Sequence, residues 1–134
     1  MRNLHAYWRM EYLSVPSEGE GDGNPFIRLP EQGDDRAVYI IHRAKYAYLV
    51  LNKYPYNPGH LLAVPFREVP RLRDLEADER VDLMNLMAFG QDILEDAFSP
   101  DGFNLGINEG ATGGAGIPEH MHAHIVPRWK SDTN

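Results

Sequence analysis

Residues 119–129 read "EHMHAHIVPRW" and hold three of the chain's six histidines, at positions 120, 122 and 124. In a β-strand, side chains two apart point to the same side. A strand over 120–127 therefore puts His120, His122 and His124 on one face and Met121, Ala123 and Ile125 on the other. The second row suits an apolar core. The first, clean in its alternation, is expected to border a cleft.

Immediately upstream, "EGATGGAGIP" (109–118) is a Gly-rich loop, and "FNLGIN" (103–108) reads as the strand that feeds it. The stretch from Gly102 to Gly116 contains Gly102, Gly106, Gly110, Gly113, Gly114 and Gly116. Further back, residues 76–98 ("EADERVDLMNLMAFGQDILEDAF") switch to a helical period. Val81, Met84 and Ala88 form one line, with Leu83, Met87 and Leu94 beside it. Glu76, Asp78 and Glu79 lie in the first turn, where the helix dipole favours acidic groups.

Three more strands precede the helix. "RAVYIIH" (36–42) and "YAYLVLN" (46–52) read as a hairpin, and "HLLAVP" (60–65) follows the turn "KYPYNPG" (53–59). Residues 1–13 form an arm rich in Tyr, Trp and Arg, and residues 14–35, dense in Gly, Pro and acid, read as a partly mobile loop. Together these elements predict one α+β domain over 1–134, with 1–35 as N-terminal arm and flexible loop. Its core is a five-stranded antiparallel sheet with one long helix on one face.

Bulk properties narrow the function. The chain has 134 residues, the size of one ordinary domain. It has no cysteine, which excludes thiolate catalysis and Cys-based zinc sites. A net charge of −7 makes non-specific nucleic-acid binding unfavourable, since that affinity rests on Lys and Arg neutralising phosphates. No apolar run is long enough to span a bilayer and no leader opens the chain, so a cytoplasmic location is expected.

Three histidines on one strand face admit three readings. As metal ligands they are badly spaced: same-side neighbours lie about 6.6 Å apart, so the outer pair is about 13 Å apart on a straight strand. A metal site would use two of them with a third ligand from elsewhere, His60 being the candidate. As structural residues they would each simply be hydrogen-bonded in the core. As reacting groups, the middle imidazole is a nucleophile, neighbouring groups fix its tautomer or protonate a leaving group, and the Gly-rich loop brings backbone N–H groups to phosphate oxygens.

The pattern His120-Met121-His122-Ala123-His124-Ile125-Val126 resembles the signature of the histidine triad (HIT) family of nucleotide hydrolases and transferases. "NKYPYNPGHLLAVP" (52–65) resembles the family's other block, and "DGFNLGINEG", "GAGIPEHMHAHIVPRW" and "YWRMEYL" resemble the branch with bacterial diadenosine tetraphosphate phosphorylases and hydrolases. The resemblance extends over residues 5–134 or nearly so. It implies a HIT-like fold and a homodimer whose sheet continues across two subunits. His122 would attack the α-phosphate of a nucleotide or dinucleoside polyphosphate and carry the nucleotidyl group. His120 and His124 would orient it and contact phosphate, with His60 facing the same site. Asn52 would bind the ribose hydroxyls, and Asn108, Gly114, Ala115 and Gly116 would contact phosphate. Arg128 would either supply charge near phosphate or form an ion pair, and Trp8 and Arg9 would either close over the pocket or pack. No cofactor, nucleic acid or membrane partner is implied.

The chain departs from its relatives at three places. Many bacterial members carry C-x-x-C near positions 24–27 and a histidine near position 68, which together hold a structural zinc. Here these read "NPFI" and Glu68, so no metal is expected. Where others have Gln and a hydroxyl residue before the triad, this chain has Gly116 and Ile117, so backbone N–H groups must do more of the phosphate binding. Many relatives also continue beyond the position of Asn134, and a tail that completes the pocket is expected to be missing. Two other functions stay open: a nucleotide-binding regulatory module without turnover, and a metal-binding protein built on His60 and a triad pair.

Overall fold

The computed structural model describes residues 23–52 and 59–132. The arm over 1–13, with Trp8 and Arg9, lies outside the described residues, as does all but Gly59 of the turn "KYPYNPG". Five strands form one antiparallel sheet: β1 (Ile40–Arg43), β2 (Ala47–Leu51), β3 (Leu61–Pro65), β4 (Gly102–Ile107) and β5 (Ala123–Arg128). Their spatial order is β1-β2-β3-β5-β4, so the histidine-bearing strand is interior and β4 is an edge.

Among the described residues two α-helices flank the sheet: α1 (Pro25–Arg28) and α2 (Ala77–Phe98). α2 starts at a capping box, in which Glu76 accepts from the backbone of Glu79 and Glu79 accepts from the backbone N–H of Glu76. It ends at Ser99 in the left-handed region, just before Pro100. Its buried face is Glu79, Leu83, Leu86, Met87, Gly90 and Leu94. That corrects part of the periodicity reading. Leu83, Met87 and Leu94 face the core, but Val81, Met84 and Ala88 face solvent, with Val81 and Met84 60% and 66% exposed. Counting apolar residues misses the true line because it includes a glycine and a carboxylate. Gly90 allows close approach, since a Cβ there would sit 3.4 Å from both Leu49 and Leu61. Glu79 is held by a two-pronged ion pair with Arg67, at 2.7 and 3.0 Å.

Under α2 lies the main core, which includes Ala47, Leu49, Leu61, Ala63, Met121, Ala123 and Ile125. The opposite face carries a second, smaller cluster of Phe26, Ile40, Tyr48, Val50, Leu62 and Val64. Phe26 comes from α1, within the segment expected to be loop. That expectation is corrected for 25–31, which form α1 followed by a 3-10 turn over Leu29–Glu31. Asn24 caps the helix through its side chain, Pro25 occupies the first turn, and the Tyr48 hydroxyl donates to the Phe26 carbonyl at 2.6 Å.

Strand limits shift in two informative places. β1 begins at Ile40 rather than 36, because Asp34 and Asp35 organise a turn: Ala37 N–H donates to the Asp34 carboxylate, and Arg43 pairs with Asp35 at 2.8 Å. That turn leaves Tyr39 at φ 66°. β5 begins at Ala123 rather than 120, so His120 and His122 lie on the approach to the strand.

Candidate active site

β5 pairs with β3 and β4 so that Leu62, His124 and Gly106 lie side by side. These positions belong to the face opposite α2, and the row behind them, Met121, Ala123 and Ile125, is buried under the helix. The alternation expected from the sequence therefore holds beyond the paired strand. What keeps residues 119–122 in place without strand pairing is the end of the Gly-rich loop and the segment after β3. His120 N–H donates to the Ile117 carbonyl and Met121 N–H to the Val69 carbonyl, at 3.1 and 2.8 Å.

His120, His122, His124 and His60 come together, and all four are buried. The rings of His122 and His124 have centroids 4.9 Å apart, and those of His60 and His124 are 5.4 Å apart. Gly59, just before His60, has φ +85°, and a Cβ there would lie 2.9 Å from Leu94. Only glycine fits that turn, and it delivers His60 to the site.

Acceptor-only partners define the tautomers. His122 Nδ1 lies 2.9 Å from the His120 carbonyl oxygen, so it carries the proton and donates. That leaves the lone pair on Nε2. His120 Nε2 lies 2.8 Å from the Pro65 carbonyl and likewise donates. Asn24 Oδ1 accepts from Phe26 N–H, so its amide nitrogen faces His120 Nδ1 and donates to it at 2.8 Å. His60 Nε2 and His124 Nδ1 are 3.3 Å apart, and the Asn52 amide nitrogen is 3.3 Å from His60 Nδ1. Read from the amide outward, Asn52 donates to His60 and His60 donates to His124. That relay puts the proton of His124 on Nε2.

Burial also sets the charge. Removal from water pushes His122 down to about 4, with the hydrogen bond to the His120 carbonyl opposing this and the neighbouring His120 reinforcing it. His120 is lowered for the same reason, against the Pro65 hydrogen bond and the charges of Glu68 and Glu119. At neutral pH both are uncharged, and His122 presents a basic Nε2 lone pair.

Asn108 directly follows β4, whose last paired residue, Ile107, lies opposite Ala123. The Gly-rich loop folds back on itself: Gly114 N–H donates to Ala111 and Ala115 N–H to Gly110, both at 3.0 Å. Glu109 anchors it by accepting from Leu72 N–H at 2.8 Å. Phosphate contacts from Gly114 and Ala115 would thus compete with bonds inside the loop. Arg128 forms an ion pair with Asp132 at 2.8 Å, the second of its two expected roles. Among the described residues no three His, Asp or Glu side chains are grouped to hold a metal ion.

Sequence reasoning missed Asn24, Phe26 and the Pro65 carbonyl. Phe26 packs edge-on to His120 and tilted against His122, its ring centroid 5.4 and 4.6 Å away. The available signal was Asn-Pro at 24–25, a helix start placed inside a stretch otherwise read as loop.

An antiparallel five-stranded sheet with one long helix, and four histidines around a bare imidazole nitrogen, define a histidine-triad protein. The HIT domain model matches residues 34–131, and the chain belongs to that family. It is 37% identical over 140 aligned positions to the AP-4-A phosphorylase of Mycobacterium tuberculosis, covering 100% of this chain and 71% of that protein. It is 40% identical over 93 positions to the asymmetrical bis(5'-nucleosyl)-tetraphosphatase of Schizosaccharomyces pombe, covering 69% of this chain and 50% of that protein. Among solved structures, the C. elegans NitFhit protein superposes with a TM-score of 0.68 at 32% identity, over 72% of this chain and 23% of that one. A Bacillus subtilis HIT protein shares the fold at a TM-score of 0.73 and 18% identity, over 82% and 76% of the two chains.

Proposed function

We propose that this HIT protein cleaves a dinucleoside polyphosphate or a related nucleoside 5′-phosphoanhydride or phosphoramidate through a nucleotidyl-His122 intermediate. The observation that carries the reading is the His122 tautomer: Nδ1–H is committed to the His120 carbonyl, and the neutral Nε2 is left as nucleophile. Nε2 forms a bond to the α-phosphorus as the bond from that phosphorus to its bridging atom breaks. The leaving group, a phosphate from an anhydride or an amine from a phosphoramidate, departs with the electron pair. His124, fed by His60 and Asn52, donates a hydrogen bond to phosphate oxygen. His120 anchors the nucleophile, while Asn108 and the loop at Gly114, Ala115 and Gly116 border the phosphate. An acceptor, water or inorganic phosphate, then takes the nucleotidyl group from His122. The reaction needs no metal for the nucleophile.

A cytoplasmic homodimer fits this reading. No described helix is long and apolar enough to cross a membrane. Edge strand β4 turns Phe103, Leu105 and Ile107 to the α2 side, as their partners Pro127, Ile125 and Ala123 show, and Leu105 is 46% exposed. It leaves an apolar strand edge that a second copy would cover.

Products from diadenosine tetraphosphate, followed with and without inorganic phosphate, test the function. ADP formed only with phosphate identifies a phosphorylase, and AMP with ATP formed in water identifies a hydrolase. Tight AMP binding with no cleavage under either condition contradicts the enzymatic reading and favours a regulatory module.

A further inference from the structure

One half-buried polar side chain beside the histidines takes no part in the relay from Asn52 to His124. Asn24 stands at the start of α1, 96 residues from His120 in the chain, and touches it at 2.8 Å. Its amide cannot be turned around without loss. Oδ1 is occupied by Phe26 N–H at 2.9 Å, so Nδ2 must be the atom facing His120 Nδ1. On its far side the same imidazole is held by the Pro65 carbonyl at 2.8 Å. His120 is thereby clamped between one donor and one acceptor, a pairing that only the Nε2–H tautomer satisfies. The His120 backbone carbonyl in turn receives the Nδ1–H of His122. An amide on α1 and a carbonyl at the end of β3 thus fix the ring whose own main chain orients the nucleophile.

We propose that Asn24 is a positioning residue for His122, holding His120 as the neutral Nε2–H tautomer so that its carbonyl aims the His122 ring. The inference rests on the nucleotidyl-transfer reading for its effect on rate, but not for its effect on His120. The amide does two jobs that a carboxylate separates. Asn24→Asp keeps the acceptor for Phe26 N–H, and aspartate is a good helix cap. Its second oxygen, however, presents a lone pair to the lone pair on His120 Nδ1. That clash is relieved when Nδ1 takes up a proton while Nε2–H stays on Pro65, which makes His120 an imidazolium two residues from the nucleophile. Asn24→Ala removes both the cap and the clamp.

Nitrogen-15 NMR of the histidine rings, with steady-state kinetics on the full chain, reads both effects. In the unsubstituted protein His120 carries its proton on Nε2 at neutral pH. Asn24→Asp protonates both ring nitrogens at the same pH, and Asn24→Ala leaves Nδ1 without a donor and the ring in exchange between tautomers. Asn24→Ala lowers kcat about tenfold to a hundredfold with KM changed less than about threefold. Asn24→Asp recovers the thermal stability lost in Asn24→Ala but not kcat. A proton on Nδ1 of His120 in the unsubstituted protein overturns the proposal. So do unchanged His120 spectra in both variants, or a loss of activity carried by KM alone. If the His120 signals respond as stated while the unsubstituted protein transfers no nucleotidyl group, Asn24 keeps its positioning role and the catalytic reading fails.

Discussion

The two faces of the sheet use the same alternation of side chains to opposite ends. On the α2 side, Met121, Ala123 and Ile125 join Leu49, Leu61 and Ala63 beneath a 22-residue helix. On the other side, His122 and His124 lie beside a smaller cluster whose cover includes Phe26 of a four-residue helix. The first face is apolar and deep, so it carries the stability of the fold. The second buries four imidazoles, each satisfied by a defined partner, so it carries a protonation state. Burial on the histidine side opposes the charged form of His122, which is what a neutral nucleophile requires. Substitutions on the two faces should therefore be separable, one set moving stability and the other moving proton affinity and rate.

The largest separation is expected at His122. His122→Ala should reduce turnover of diadenosine tetraphosphate by about 10⁴-fold or more, as loss of a nucleophile does, while far-ultraviolet circular dichroism stays unchanged. Full turnover in that variant breaks the division between the faces. Next, Leu83→Ala in the helix-side core should cost about 2–4 kcal/mol in urea unfolding and leave the His122 titration where it was.

The third effect is pH dependence. Between pH 6.5, the ordinary histidine value, and about 4 the unfolded chain binds a proton at His122 that the folded chain refuses. Stability should thus fall as pH drops through that window, by about 3 kcal/mol from this group. His122→Gln should remove that part of the slope, and an unchanged slope contradicts the buried neutral imidazole. A smaller change is expected from Phe26→Leu, which opens the roof. The His122 pKa should rise from about 4 toward the ordinary value, as read by NMR titration. Smallest is Met84→Lys on the exposed flank of α2, which should alter unfolding by no more than about 0.5 kcal/mol. On the β4 edge, by contrast, Leu105→Asp should convert dimer to monomer in analytical ultracentrifugation, and a monomeric unsubstituted protein removes the proposed interface.

Most of the helix-side architecture was legible in the sequence because its signal is periodic. Strand composition, the alternation at 120–125 and the helical period over 76–98 each repeat often enough to be read. The solvent line of α2 was misread where a pairing and a close approach, Glu79 with Arg67 and Gly90 against Leu49 and Leu61, override hydrophobicity. On the histidine side, the residue types and their common face were legible, and the resemblance pointed to His60 and Asn52. The clamp on His120 was not. It joins Asn24 to a position 96 residues away and uses a backbone carbonyl at Pro65, and neither contact leaves a local pattern. α1 was hidden because four residues are too few to show a period, and only the Asn-Pro start marks it.

The central claim is that His122 Nε2 becomes the covalent carrier of a nucleotidyl group. Rapid acid-free quenching after mixing with diadenosine tetraphosphate, followed by intact-mass and peptide mass spectrometry, tests it most directly. An added nucleoside monophosphate is expected on the peptide containing residues 119–129, localised to His122 and absent from His122→Ala. Turnover with no adduct at any quench time, or an adduct on His120, His124 or His60 instead, would contradict it.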